Sequence, residues 1–157
     1  MSWFEDWFNS PYYALLYNNR DTKEAGEFIK NLLAYLKPSP NSSIADIPCG
    51  NGRHSTALAN AGFNVTGFDL SERNIEEAKP YESETLSFYL HDMRQPFHIH
   101  YFDFIMNLFT SIGYFNADYE DLRVLKNFQK ALKPGGILVI DFFNSNIDDL
   151  KCLIILS

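Results

Sequence analysis

Cysteine is scarce in this chain. Only Cys49 and Cys152 occur in 157 residues, far from any metal-ligand spacing, and no export signal accompanies them. A disulfide framework is therefore excluded, and both thiols are expected to be reduced. A run of lysines and arginines is also missing. The formal net charge is −7, whereas binding to polyanions needs clustered cations, so nucleic acid is not an expected partner. No apolar run approaches the ~20 residues that cross a bilayer, so no membrane is expected either. The opening "MSWFEDWFNS" carries acids where a secretory signal carries bases, and it has no small-residue cleavage site, which makes the cytoplasm the default location. What the chain does have is apolar surface, with 46% hydrophobic and 16% aromatic residues. That is enough to fold one domain over residues 1–157.

Local patterns divide that domain. In "NSPYYALLY", Ser10 is placed to cap a helix with Pro11 at its first position, and Asp21 with Glu24 has capping-box spacing for a second helix. Ala25, Phe28, Ile29, Leu32, Leu33 and Leu36 recur at helical period, and Pro38 and Pro40 end the pattern. Residues 1–37 thus read as a helical cap. From 43 to 144, short apolar runs alternate with helical segments: "SIADI", "GRHSTALANAG", "FNVTGFD", "SERNIEEAK", "LSFYLHD", "YFDFIMNLF", "ADYEDLRVLKNFQKALK" and, after the turn "KPGG", "GILVIDFF". Such alternation predicts a doubly wound, mainly parallel α/β sheet. Residues 145–157 form a short tail. No internal repeat or low-complexity tract is present.

In an open parallel sheet the ligand lies beyond the carboxyl ends of the strands. The informative residues fall there: Asp46 with Gly50 and Gly52, then Asp69, Asp92 and Asn107. Asp69 follows Gly50 by roughly twenty residues, the spacing at which a carboxylate meets a ribose diol. A ribose-containing ligand is implied. "GNGRHS" (residues 50–55) passes as a degenerate dinucleotide fingerprint, which keeps an NAD-dependent oxidoreductase among the readings. Two features oppose it. Asp46 would place negative charge against a pyrophosphate, and Pro48 removes a backbone donor from the loop that would cradle it. Both suit a ligand without phosphate that is partly cationic, and S-adenosylmethionine fits.

The series "ADIPCGNGRHS", "VTGFDLSERNIEEAK", "LHDMRQPF", "FDFIMNLFTSIGYF" and "LKNFQKALKPGGILVIDFFN" resembles the successive motifs of class I S-adenosylmethionine-dependent methyltransferases, from about Ile44 to Asn144. "CGNGRHS" with "NLFTSIGYF" is further similar to a bacterial small-molecule-type subgroup whose amino-terminal helices cover the cofactor. Pro48 departs from the glycine common in that family. The resemblance implies that Asp69 binds the ribose hydroxyls, Asp92 accepts from the adenine amino group and the Met93 N–H reaches the ring. It also implies that Gly50 and Gly52 face the methionine portion, with Asp46 near its ammonium and sulfonium. Pro48, Cys49, Leu70 and Asn107 complete the cofactor set, with Tyr17 and Arg20 from the cap.

Other candidates have plainer readings beside the functional one. Arg53 and His54 suit a solvated first helical turn, and the aromatic stripe Trp3, Phe4, Trp7, Phe8, Tyr12, Tyr13 and Tyr17 suits core packing as well as a lid over a cation. His91, His98 and His100 lack the carboxylates of a metal set. Methyl transfer needs alignment and exclusion of water more than a protein nucleophile. No catalytic residue is therefore selected, and Tyr114, Asn107 and the histidines are candidates only for orienting a small-molecule acceptor. Only "NSNIDDLKCLIILS" follows Phe143, so the sheet is expected to lack the family's usual last strands. That raises two further expectations: a non-catalytic cofactor- or partner-binding remnant as the alternative function, and a homodimer formed through an open carboxyl-terminal edge unless the tail itself folds back as an edge strand.

Overall fold

The computed structural model describes residues 22–109, 111–143 and 151–156. The first predicted helix, the aromatic stripe, Tyr17, Arg20 and Asp21 lie outside them. The described elements are α1 (Thr22–Leu36), β1 (Ser43–Asp46), α2 (Arg53–Asn60), β2 (Asn64–Asp69), α3 (Glu72–Ala78) and β3 (Leu86–Leu90). They continue with β4 (Phe102–Asn107), α4 (Asp118–Ala131), β5 (Leu132–Phe143) and β6 (Lys151–Leu156). The sheet order is β3-β2-β1-β4-β5-β6, with β1 to β5 parallel and β6 antiparallel to β5.

Strand alternation sorts the core onto two faces. Ile44, Val65, Phe88, Met106 and Val139 point to one side, where Ile29 and Leu32 of α1, Leu58 of α2 and Ile75 of α3 cover them. Ala45, Ile47, Phe68, Ile105, Leu138 and Ile140 point to the other, against Val124, Phe128 and Ala131 of α4. Because both faces are covered, the central strands read as nearly continuous apolar runs. Local signals set the helix ends. The Ser71 side chain accepts from the Asn74 N–H as the cap of α3, and Gly62, at φ +95°, follows α2 in the left-handed conformation that ends helices.

At the carboxyl end one expectation changes and one of the two outcomes offered for the tail is met. The "KPGG" segment is not a turn before β5 but an irregularity within it: Phe102 pairs with Leu132 and Phe104 with Ile137, so the β5 side carries surplus residues there. Nor does the sheet stop at β5. Residues 151–156 pair with it from Phe143 opposite Lys151 to Leu138 opposite Leu156. The tail is thus an edge strand within one chain, and a homodimer through an open β5 edge has no such edge to use. No described helix is long and apolar enough to cross a membrane.

Candidate functional site

Parallel register brings the strand ends together. Asp46 lies level with Gly67 and Met106, Asp69 with Leu90, and Asn107 with Ile140. Asp46, Asp69 and Asn107 therefore close β1, β2 and β4 along one edge, with Asp141 following Ile140 inside β5 and Asp92 in the turn after β3. Strand order reverses between β1 and β4, which is where a crevice opens in such sheets.

One half of this edge is dry. Asp46 is 1% exposed, and its carboxylate accepts from the Ser55 hydroxyl at 2.6 Å. Burial, relieved in part by that bond and reinforced by the charge of Asp69, pushes its carboxyl up to about 7. Asp69 is buried as well. Oδ2 accepts from the Gly50 N–H at 2.8 Å, and Oδ1 accepts from the Ser71 N–H at 2.9 Å and from Asn74 Nδ2 at 3.1 Å. Burial still raises its carboxyl above the ordinary value despite those bonds. The Leu70 N–H adds a further backbone donor to this carboxylate. The Cys49 thiol shares the pocket, where burial and then the charges of Asp46 and Asp69 push it well up.

The loop above these acids is shaped by two glycines for different reasons. Gly50 has φ +55° and nothing within 4 Å of where a Cβ would sit, so it supplies the backbone conformation beneath an open approach. At Gly52, φ +82°, a Cβ would stand 2.6 Å from Phe88 Cζ. Pro48 interrupts nothing here. Its neighbours make the anchoring bonds, Ile47 N–H to the Met106 carbonyl at 2.9 Å and Cys49 N–H to the Phe68 carbonyl at 2.8 Å. Leu70, next to Asp69, is partly exposed.

The other half is ion-paired. Arg94 grips Asp92 with Nε at 3.0 Å from both oxygens, Nη2 at 2.7 Å from Oδ2 and its own N–H at 2.9 Å from Oδ1. Its Nη1 reaches Glu120 of α4 at 2.9 Å, and its guanidinium lies 5.3 Å from the centre of the Phe115 ring. Burial would raise the Asp92 carboxyl, but the Arg94 hydrogen bonds and charge, with His91 behind them, hold it below the ordinary range. Beside it the Met93 carbonyl accepts from Asn127 Nδ2 at 3.1 Å. Asn107 is fully buried. Its Nδ2 donates to the Ile47 carbonyl at 2.7 Å, while Oδ1 has no partner.

The fold therefore gathers Asp46, Pro48, Cys49, Gly50, Gly52, Asp69, Leu70, Asp92, Met93 and Asn107 along one sheet edge; Tyr17 and Arg20 lie outside the described residues. His54 departs from the solvated turn expected of it. It is 7% exposed, with its ring 5.9 Å from Phe28 of α1 and 4.9 Å from Phe109. Asp141 and Ser55 escaped the sequence reading. Asp141 is buried and accepts from the Phe109 N–H at 3.2 Å, and a lone acid in "GILVIDFF" was its available signal. The histidines have separate partners: His91 the Gln95 carbonyl, His100 the Leu132 carbonyl, and His98 the stacked ring of Tyr101. Among the described residues no group of three or more His, Cys, Asp or Glu could hold a metal ion.

Comparison with known proteins places this architecture. Residues 44–136 match the family described as "Methyltransferase domain". The YqeM protein of Bacillus subtilis (strain 168) is 35% identical over 105 residues, covering 65% of this chain and 42% of that one. A dTDP-3-amino-3,4,6-trideoxy-alpha-D-glucopyranose N,N-dimethyltransferase of Streptomyces venezuelae is 28% identical over 131 residues, covering 82% and 54%. Among solved structures, the sugar N-methyltransferase KedS8 from Streptoalloteichus superposes with a TM-score of 0.68 at 27% identity, covering 83% of this chain and 53% of that one. The chain spans about half the length of the curated relatives it matches.

Proposed function

The chain belongs to the methyltransferase domain family, and from that premise we propose that it binds S-adenosylmethionine at the carboxyl edge of the sheet and transfers its methyl group to a small-molecule acceptor. The observation that carries this reading is the dry half of the site. A carboxylate buried to 1% exposure and partnered only by the hydroxyl and backbone N–H of Ser55, beside a second buried acid, is a poor host for pyrophosphate and a good one for a cation. The unpartnered Oδ1 of Asn107 adds a buried acceptor at the same switch point, and Gly50 leaves its side of the loop open to close approach. These features fit a ligand that combines a nucleoside with an ammonium and a sulfonium.

The bound cofactor would supply an electrophilic methyl group on positively charged sulfur. The protein's part is to hold and align. Asp69 keeps the Gly50 loop in place and offers Oδ2 to a ribose hydroxyl, Asp92 and Met93 meet the base, and Asp46 faces the cationic end. Alignment in a site from which water is excluded lowers the barrier without a protein nucleophile. Names among the relatives point to nitrogen of amino sugars, so such amines head the panel of acceptors.

Titration calorimetry with S-adenosylmethionine, S-adenosylhomocysteine and NAD tests the binding step. The two sulfur ligands should bind and NAD should not; tighter binding of NAD would overturn the reading. Incubation with methyl-labelled cofactor and small amines, hydroxyls and carboxylates, with RNA and protein as controls, tests transfer. Label reaching a small acceptor supports the proposal, while label reaching only RNA or protein would overturn the acceptor class.

A further inference from the structure

Arg94 is among the polar groups at the sheet edge that the proposed chemistry leaves without a role. It is also the most heavily bonded. Its hydrogen bonds to Asp92 come from Nε, Nη2 and the backbone N–H, and it is tied on the far side to Glu120 at the start of α4. Oδ1 of Asp92 receives the Arg94 N–H, Oδ2 receives Nη2, and Nε is shared equally between them, so three donors occupy a carboxylate that offers about four acceptor sites. A carboxylate on a solvated turn can rotate and can take up a proton, after which it donates as well as accepts. This one is held against both. The fork geometry of guanidinium fixes the plane of the carboxylate, and its charge favours the state with no proton to give.

Building on the nucleoside-binding reading, we propose that Arg94 is a positioning residue for base selection: it presents Asp92 as a single, fixed acceptor, so that the site takes a base edge bearing an exocyclic N–H donor and rejects one bearing a carbonyl oxygen. A 6-amino purine offers the donor. A 6-oxo purine sets an oxygen against the carboxylate, and the mismatch leaves both unpaired or repelling. The charged groups facing Asp92 are Arg94 in its own turn, His91 at the end of β3 and, through Arg94, Glu120 of α4. Arg94 is the strongest of these, and without it the carboxyl would regain a proton at higher pH.

The test measures binding rather than turnover. S-adenosylhomocysteine and S-inosylhomocysteine, which differ in the 6-amino and 6-oxo groups, are titrated into wild type, Arg94→Ala, Arg94→Lys and Glu120→Gln between pH 5 and 8, with circular dichroism confirming the fold of each. Wild type and Glu120→Gln should prefer the adenosyl ligand by about 10-fold or more, as expected for one charge-assisted hydrogen bond. Arg94→Ala should reduce that preference to within about threefold, and more so at pH 5 than at pH 8. Arg94→Lys, a point charge without the fork, should keep the pH dependence of wild type and lose part of the preference. Full preference in both Arg94 variants would overturn the positioning role. Wild-type protein that binds both ligands equally would overturn the base assignment while leaving the cofactor reading intact, and absence of binding to either would remove both.

Discussion

Two acids on the same sheet edge, Asp46 and Asp92, are driven in opposite directions. Asp46 sits in a dry pocket with a hydroxyl and a second carboxylate for company, and burial pushes its carboxyl up to about 7. Asp92 is partly exposed and clasped by Arg94, which outweighs burial and holds it below the ordinary range. The comparison shows how one edge can hold a carboxyl that keeps its proton up to about pH 7 at one end and one that stays ionised at the other. The neighbours make the difference, because the side chains are identical.

The largest test of that contrast is the pH dependence of stability. A carboxyl whose folded pKa lies near 7 instead of 3.8 binds its proton more tightly in the folded state. Its contribution is therefore complete at low pH and is lost as pH rises from about 4 through 7, amounting to as much as about 4 kcal/mol by alkaline pH. Asp46→Asn should flatten this slope and leave a protein more stable at pH 8 than wild type, with the remaining slope due to Asp69, which is shifted the same way. Urea unfolding at several pH values checks it, and an unchanged slope would show that Asp46 is wet. Asp92 contributes in the other sense, losing stability as pH falls through its lowered pKa.

A smaller effect is expected where the dry half is sealed. A Cβ on Gly67 would lie 2.5 Å from Phe88 Cδ1 and 3.0 Å from Cys49 Sγ, and Phe88 is completely buried. Gly67→Ala should cost about 2–3 kcal/mol through displacement of that ring. It should also admit water toward Asp46 and bring the carboxyl down, visible by NMR titration. Asp69→Ala should cost about 2 kcal/mol by leaving the Gly50 and Ser71 N–H groups without an acceptor. Its removal also takes a negative charge from Asp46, so the high-pH loss of stability should shrink. Least of all, Glu120→Gln should change stability by less than about 1 kcal/mol, since the Arg94 pair with Asp92 remains. A thermal melt distinguishes these two variants.

Much of the architecture was legible because the signals were local. Ser71 caps α3 through its own hydroxyl, Gly62 ends α2 by its positive φ, and the short apolar runs of "SIAD", "NVTGFD" and "FDFIMN" need only neighbouring residues to be read. The order of Asp46, Asp69, Asp92 and Asn107 at strand ends followed from the same pattern. The "KPGG" segment misled because it carries a turn's composition, yet its flanks Leu132 and Ile137 both pair with β4 and keep it inside a strand as an irregularity. His54 misled for a related reason: nothing local announces that Phe28 and Phe109 will close over it.

By itself, the sequence determined which residues reach the carboxyl edge, since strand period and helix caps set that within each segment. Only the tertiary structure decided what each of them became. The parallel register set Asp69 against the Gly50 N–H, α2 brought Ser55 to Asp46, and α4 brought Glu120 to the Arg94 that grips Asp92. Residues 151–156 likewise became an edge strand only by pairing with β5. Charge state, acceptor geometry and strand partnership depend on distances between segments far apart in the chain, and those distances exist only once the sheet has formed.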